Sequence, residues 1–283
     1  MNTPLHPKLL DQEKFPPLDL LSIAIENAVE SPESSFEDIA HIVESNPNIS
    51  ARLLNLANSD FYNYPIPVAN VPDALSVIGL RNTRNLSIAL TLTRQFEPSA
   101  GFPVPIEQFW RHNIAVGLCT RIIALECREA NTERYFFAGL LHKISRPLIA
   151  QMFPSQAKDI FERTQNTGTH YQNAARASLG FEESEVGAAA LHHWRFPENI
   201  STLVRHYNKP VLARHHVRGV SFVHIANFIV SALQLGYSGD RYVPDFSESA
   251  WGFAKFEDAK LTSVVEELLR QLDSVCHVFL DPL

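Results

Sequence analysis

Apolar residues recur at three- and four-residue spacing along nearly the whole chain, the period of helices with one buried face. No run combines alternating β-branched residues with hairpin turn chemistry, so no sheet is expected. A chain of 283 residues patterned this way implies an all-α fold, and it is long enough to bury a sizeable core. Local punctuation agrees. Ser35-Phe36-Glu37-Asp38 resembles a capping box heading a helix whose apolar face is Ile39, Ile42 and Val43. Pro47 suits the first turn of the next helix, which runs to about Asn58, and Pro72 and Gly79 bracket a two-turn helix. Leu86, Ala89, Leu90 and Thr93 suggest another. Gly101-Phe102-Pro103-Val104-Pro105 then breaks the pattern.

Beyond that break, Phe109, Trp110, Ile114, Cys119 and Ile123 fit a long, mostly apolar helix. A helix beginning after Asn131-Thr132 carries Phe136, Phe137, Leu140 and Leu141. Further helices are predicted near 155–166, 170–178, 182–194, 197–206 and 217–235. Tyr237–Lys255 reads as an ordered loop, and a final amphipathic helix runs from about Phe256 to Val278.

The formal charge of −7 is unevenly spread. Residues 1–60 hold ten acids and three bases, and residues 240–283 nine and four, which leaves twelve acids and seventeen bases between them. Within the basic middle, 190–218 carries Arg195, Arg205, Lys209, Arg214 and Arg218 against the single acid Glu198. His192, His193, His206, His215 and His216 lie in the same stretch. Such a patch can draw an anion or nucleotide; a solvated basic face, or one docking the acidic ends, is the other reading. The overall acidity argues against a general nucleic-acid binder. No apolar run approaches the roughly 20 residues that span a bilayer, so no membrane partner is expected. Met1-Asn2-Thr3-Pro4 lacks the basic and apolar regions of a signal peptide, and a cytoplasmic location is expected.

Little nucleophile chemistry is visible. There is no phosphate-binding glycine loop, no dinucleotide fingerprint and no serine elbow. Cys119, Cys127 and Cys276 lack C-x-x-C spacing and read as reduced thiols. His192-His193-Trp194 reads as an aromatic core cluster with one exposed imidazole. Asn55 and Asn58 read as backbone-bonding residues at a helix end. Asp11, Glu13, Glu26 and Glu30 read as a solvated acidic face.

Longer motifs add a family resemblance. Phe15-Pro16-Pro17-Leu18, Ile39 to Pro47, Ala51 to Ser59 and Ala74 to Gly79 are followed by Phe109-Trp110-Arg111-His112 and Ala138-Gly139-Leu140-Leu141-His142. Glu185-Val186-Gly187, Trp194-x-x-Pro197 and Val223 to Asn227 complete the series. In this order and spacing the chain resembles the HDOD family over about residues 15–235. These are output domains of bacterial signalling proteins, related to HD-type metal-dependent phosphohydrolases. The resemblance implies an N-terminal helical bundle packed on an HD/phosphodiesterase-like helical bundle. The expected division is 1–104, a degenerate HD-like subdomain at 105–236, and 237–283 as loop and closing helix.

By that resemblance the family's metal-site positions fall on His112, His142, Lys143, Glu183, His206 and Asn227, with Tyr207 beside His206. The aspartate of the His-Asp pair has become Lys143, which offers donors only and carries the wrong charge for a cation ligand. No catalytic residue, metal or other cofactor is therefore expected, and Lys143 is expected to take the cation's place by pairing with Glu183 or a helix C-terminus. His112 and His142 also have simpler readings, bonding a backbone carbonyl and capping the end of a helix. The leading function is a non-catalytic signalling or scaffold protein, a pseudoenzyme whose signalling partners act in trans. Two alternatives stand beside it. One is a nucleotide or cyclic-dinucleotide receptor using Arg195, Arg205 and Arg218; the other is a residual metal phosphohydrolase.

Overall fold

The computed structural model describes residues 15–99 and 101–281. Among these residues the chain is all-α, with one isolated bridge between Ser99 and Phe102 and no strand. The contacts divide it into two compact units. One comprises residues 17–96 with the chain from Leu269 onward; the other comprises residues 97–268 together with Phe15 and Pro16. Asp11 and Glu13 lie outside the described residues.

The smaller unit holds α1 (Leu20–Glu30), α2 (Phe36–Glu44), α3 (Pro47–Ala57), α4 (Val71–Ile78) and α5 (Leu80–Gln95). Short polar side chains start four of them. Asp19, Ser35, Asn46 and Asn70 each accept a hydrogen bond from a backbone N–H three residues on. At Ser35 the box closes, because the Asp38 carboxylate also accepts from the Ser35 N–H at 2.8 Å. Ile25, Val43, Leu53 and Leu75 are fully buried at the centre. Asn58 ties the end of α3 to the following loop, exchanging hydrogen bonds with Val68 through both its amide atoms. The acidic face predicted on α1 needs a correction. Glu30 is exposed, but Glu26 is buried and pairs with the buried Arg84 at 3.2 Å, as a carboxylate removed from water requires. Arg52 donates to the carbonyls of Val278 and Asp281, satisfying backbone acceptors at the end of α15 (Leu261–Leu280).

The larger unit is organised around α6 (Ile106–Glu126), buried almost continuously from Phe109 to Ala124. A helix surrounded on every side needs no polar stripe, which is why its sequence is apolar nearly all round. Packed against it are α7 (Glu133–Leu141) and α13 (Val217–Ala232). The α6–α7 crossing depends on Gly139, since a Cβ there would sit 2.6 Å from the Cα of Gly117. Between them in sequence come α8 (Ser145–Met152), α9 (Pro154–Thr167), α10 (Tyr171–Leu179), α11 (Glu183–His193) and α12 (Glu198–His206). Trp194, after α11, is buried and donates to the Pro16 carbonyl at 3.0 Å, while His193 packs on Phe15 and His192 stays exposed. The predicted aromatic cluster is therefore present. The stretch read as loop from Tyr237 to Lys255 contains a helix, α14 (Glu248–Ala254). It is anchored by the buried methyls of Ala250 and Ala254 and by the Trp251 ring stacked edge-on to Phe256.

All three cysteines are free. Burial pushes the Cys119 thiol up to about 12, so it stays protonated and inert. No helix among the described residues is long and apolar enough to cross a membrane.

Candidate functional site

Lys143 sits in the turn between α7 and α8, a place where the chain bends and a side chain can enter the middle of the larger unit. It is 1% exposed. Its ammonium donates to Ser238 Oγ at 2.9 Å, Asp240 Oδ2 at 3.1 Å and His112 Nε2 at 3.2 Å. Three N–H donors thus meet three lone-pair acceptors. The expected partner, Glu183, is not among them. Glu183 is taken instead by Arg146 on the first turn of α8, through contacts of 3.3 and 3.4 Å. The same guanidinium reaches Asp240 at 2.8 Å and the Ser238 carbonyl at 2.7 Å, and lies 4.3 Å over the Tyr171 ring. A planar fork with five donors can bridge two carboxylates and a carbonyl; an ammonium cannot.

The charges balance. Lys143 and Arg146 face Asp240 and Glu183; Lys143, Arg146 and Glu183 are withdrawn from water, and the Asp240 side chain keeps 13% of its surface exposed. Burial lowers Lys143 to about 8 despite Asp240, which still leaves it charged at neutral pH. Burial opposes ionisation of Asp240, but Arg146 and then Lys143 outweigh it and hold the carboxyl well below its usual range.

Two histidines complete the cluster. Burial, reinforced by Lys143, pushes both His112 and His142 well below their usual value, so both imidazoles are neutral. His142 Nδ1 lies 2.6 Å from the Gly139 carbonyl and must therefore donate to it, leaving Nε2 as a lone pair. The predicted helix-capping role is met by the neutral ring. His112 Nε2 accepts from Lys143, so its simpler reading, a bond to a backbone carbonyl, does not describe the Nε2 atom. Asn227 places its amide between the two rings, with Oδ1 3.3 Å from His112 Nε2 and 3.1 Å from His142 Nε2. Turned so that its NH₂ faces the rings, that amide donates to the His142 Nε2 lone pair, while the single lone pair of His112 Nε2 is already taken by Lys143. Tyr207 packs edge-on against His142, with ring centroids 4.9 Å apart.

The loop after α13 supplies Ser238 and Asp240, and Gly236 sets its path. With φ at +79°, its Cα lies so close to α6 that a Cβ would be 2.4 Å from the His112 nitrogen and 2.6 Å from the Gln108 carbonyl. Tyr237 N–H donates to that same carbonyl at 2.9 Å. Gly236→Ala is expected to destabilise by about 2–4 kcal/mol, read as a lowered urea midpoint, because both backbone conformation and approach must change.

Of the six positions implied by the resemblance, the structure gathers His112, His142, Lys143, Glu183 and Asn227. His206 is half-buried and lines a separate cleft of about 490 Å³ with Arg205, Lys209 and Arg214. The three arginines named for an anion do not converge. Arg205 pairs with Glu185 at 3.3 Å. Arg218 pairs with Glu129 at 2.7 Å and donates to the Ala254 carbonyl, and Arg195 lies on the exposed turn after α11. Arg146, Ser238, Asp240 and Tyr171 were not expected at the site. A usable signal did exist: Lys143 and Arg146 stand three apart with no acid nearby in sequence, and two buried cations need two buried anions.

Among the described residues no three His, Cys, Asp or Glu side chains converge in a geometry that could hold a metal ion. The donor set explains this. A dication here would meet an ammonium and a guanidinium, and both carboxylates are already taken up by those cations. The residues do not fit a metal.

Comparisons with known proteins bear on the same fold. An HDOD protein of unknown function from Geobacter sulfurreducens superposes with a TM-score of 0.74 at 19% identity, covering 97% of this chain and 99% of that one. A Shewanella amazonensis SB2B protein carrying a provisional phosphohydrolase name gives 0.73 at 20% identity, over 95% and 98% of the two chains. A Marinobacter aquaeolei VT8 protein with a provisional signal-transduction name also gives 0.73 at 20%, over 99% of this chain and 63% of that one. At these identities the likeness shows the fold. An uncharacterised Treponema pallidum (strain Nichols) protein is 23% identical over 229 residues; the match takes in 78% of this chain but spans only 43% of that relative's length. The model of the HDOD domain matches residues 15–210, well over half of the sequence, and the chain belongs to the HDOD family.

Proposed function

We propose that this HDOD chain is a non-catalytic signalling or scaffold module of the cytoplasm, which works by protein contacts with a partner in trans. The observation that carries the reading is the neutral cluster of Lys143, Arg146, Asp240 and Glu183. A hydrolytic metal must lower the pKa of its water and polarise a phosphoryl oxygen, which requires free anionic or imidazole ligands around an open position. Here the ammonium of Lys143 stands where a cation would, donating to the lone pairs of His112, Ser238 and Asp240. The signal-transduction name of the Marinobacter relative agrees with this reading. The nucleotide alternative loses its footing in Arg205 and Arg218, which are committed to carboxylates of the chain itself.

The test is the purified protein with manganese, iron and zinc, read by elemental analysis and by hydrolysis of bis-p-nitrophenyl phosphate. Metal far below one equivalent and no EDTA-sensitive turnover are expected. One equivalent of metal together with hydrolysis abolished by EDTA overturns the proposal.

A further inference from the structure

The buried cluster makes no use of most of the basic stretch at 190–218, and the end of that stretch forms a surface of its own. From Asn199 to Gly239 the chain contains no acidic residue, while Arg205, Lys209, Arg214 and Arg218 fall inside it. In its middle a 3₁₀ turn, Pro210–Leu212, holds Val211 and Leu212 outward, each 60% exposed. Val211 and Leu212 are adjacent members of the large apolar side chains left exposed among the described residues. α14 packs against the turn and adds Phe253, 39% exposed.

Val211 and Leu212 form the lip of the 490 Å³ cleft that also contains His206. Two carboxylates in its wall are already neutralised: Glu182 pairs with Lys209 at 2.7 Å and Glu185 with Arg205 at 3.3 Å. Arg214 and His206 have no carboxylate partner among the described residues and remain to receive an anion. The recess therefore offers one uncompensated guanidinium beside two bare aliphatic side chains. A polyphosphate or nucleic acid suits it poorly, because closely spaced phosphates would meet Glu182 and Glu185 and leave the aliphatic lip in water.

We propose that this cleft and its lip are a docking surface for an acidic amphipathic helix of a partner protein. An Asp or Glu of that helix enters toward Arg214. Leucine- or phenylalanine-sized side chains three or four positions away, about 5–6 Å along the same face, cover Val211 and Leu212. Centrally buried apolar anchors with one charge pair at their edge supply most of the affinity in such contacts. The inference rests on the reading of the chain as a contact-based module and specifies the chemistry of its partner.

The probe is a fluorescein-labelled synthetic helix of about 18 residues, roughly 27 Å long, with a leucine stripe flanked by glutamates. Its anisotropy is titrated with the full chain. Binding is expected, with Leu212→Asp and Arg214→Glu each weakening it at least about tenfold, or 1.4 kcal/mol. Arg163→Glu on the exposed face of α9 should leave it unchanged. A helix with lysines in place of the glutamates should bind at least about tenfold more weakly. Equal binding of both helices, no binding, or indifference to Leu212→Asp overturns the proposal. Sedimentation showing self-association abolished by Leu212→Asp assigns the surface to a second copy and also overturns it. These readouts are independent of metal content and phosphodiester turnover, so failure here is distinguishable from failure of the module reading. Because positions 212 and 214 are exposed, circular dichroism should show the variants folded.

Discussion

Arg146→Ala is expected to lower the unfolding free energy by about 3–5 kcal/mol, the upper end for single substitutions. The reason is the company Arg146 keeps. Among the described residues it is the ion-pair partner of Glu183 and the closer of two for Asp240, at 2.8 Å against 3.1 Å for Lys143. Removing it strands a carboxylate in a place that water does not reach. Urea unfolding followed by far-UV circular dichroism measures the loss. Arg146→Lys should recover only part of it, since a point charge cannot span Glu183, Asp240 and the Ser238 carbonyl together. The decisive comparison pairs Arg146→Met with Glu183→Met. If opposed buried charges hold this region together, the double variant should be at least about 1 kcal/mol more stable than the sum of the two single losses implies. Strict additivity would mean that the ion pair does not govern stability here.

Stability should also fall steeply on mild acidification. In the folded protein His112 and His142 stay neutral, because burial and the Lys143 ammonium depress their pKa values. Unfolded, they titrate near 6.5. Below that pH the unfolded state binds protons that the native state refuses, so unfolding becomes more favourable as pH falls. Each such group removes at most about 1.4 kcal/mol per pH unit below 6.5. The depressed carboxyl of Asp240 acts in the same direction at lower pH, its contribution being lost from about pH 4 downward. Urea midpoints at pH 7.5 and 5.5 test this, and His142→Asn should make the drop smaller. Equal stability at the two pH values would mean that the imidazoles are solvated or already charged.

The fold was legible where the signal is local. A capping box needs only Ser35 and Asp38, and a buried helix needs only an apolar run such as the one through Trp110 and Ile123. The start of α7 after Thr132 follows from the same kind of reading. α14 was missed because seven residues set among Pro, Gly and Ser carry too few turns to show a period, and their helix is fixed by packing of Ala250 and Ala254. At the site, the family pattern pointed to His112, His142, Lys143, Glu183 and Asn227, and the folded chain brings them together. The pairing expected of Lys143, with Glu183, is not the one formed. Asp240 lies 97 residues from Lys143, and nothing local joins the two. The separation of Tyr207, against His142, from His206, in the neighbouring cleft, depends on one residue of rotation at the end of α12. A periodicity argument does not resolve that step.

The equal number of opposite charges in this chamber also limits how its chemistry could be re-engineered. Introducing an aspartate at position 143 alone would crowd three carboxylates around the one remaining guanidinium. Removing Arg146 first would instead leave two acids sharing a single ammonium. Either order passes through an intermediate that forfeits several kcal/mol of a stability typically about 5–15 kcal/mol in total. A designer seeking hydrolysis would therefore have to exchange both cations at once, with the metal present during folding.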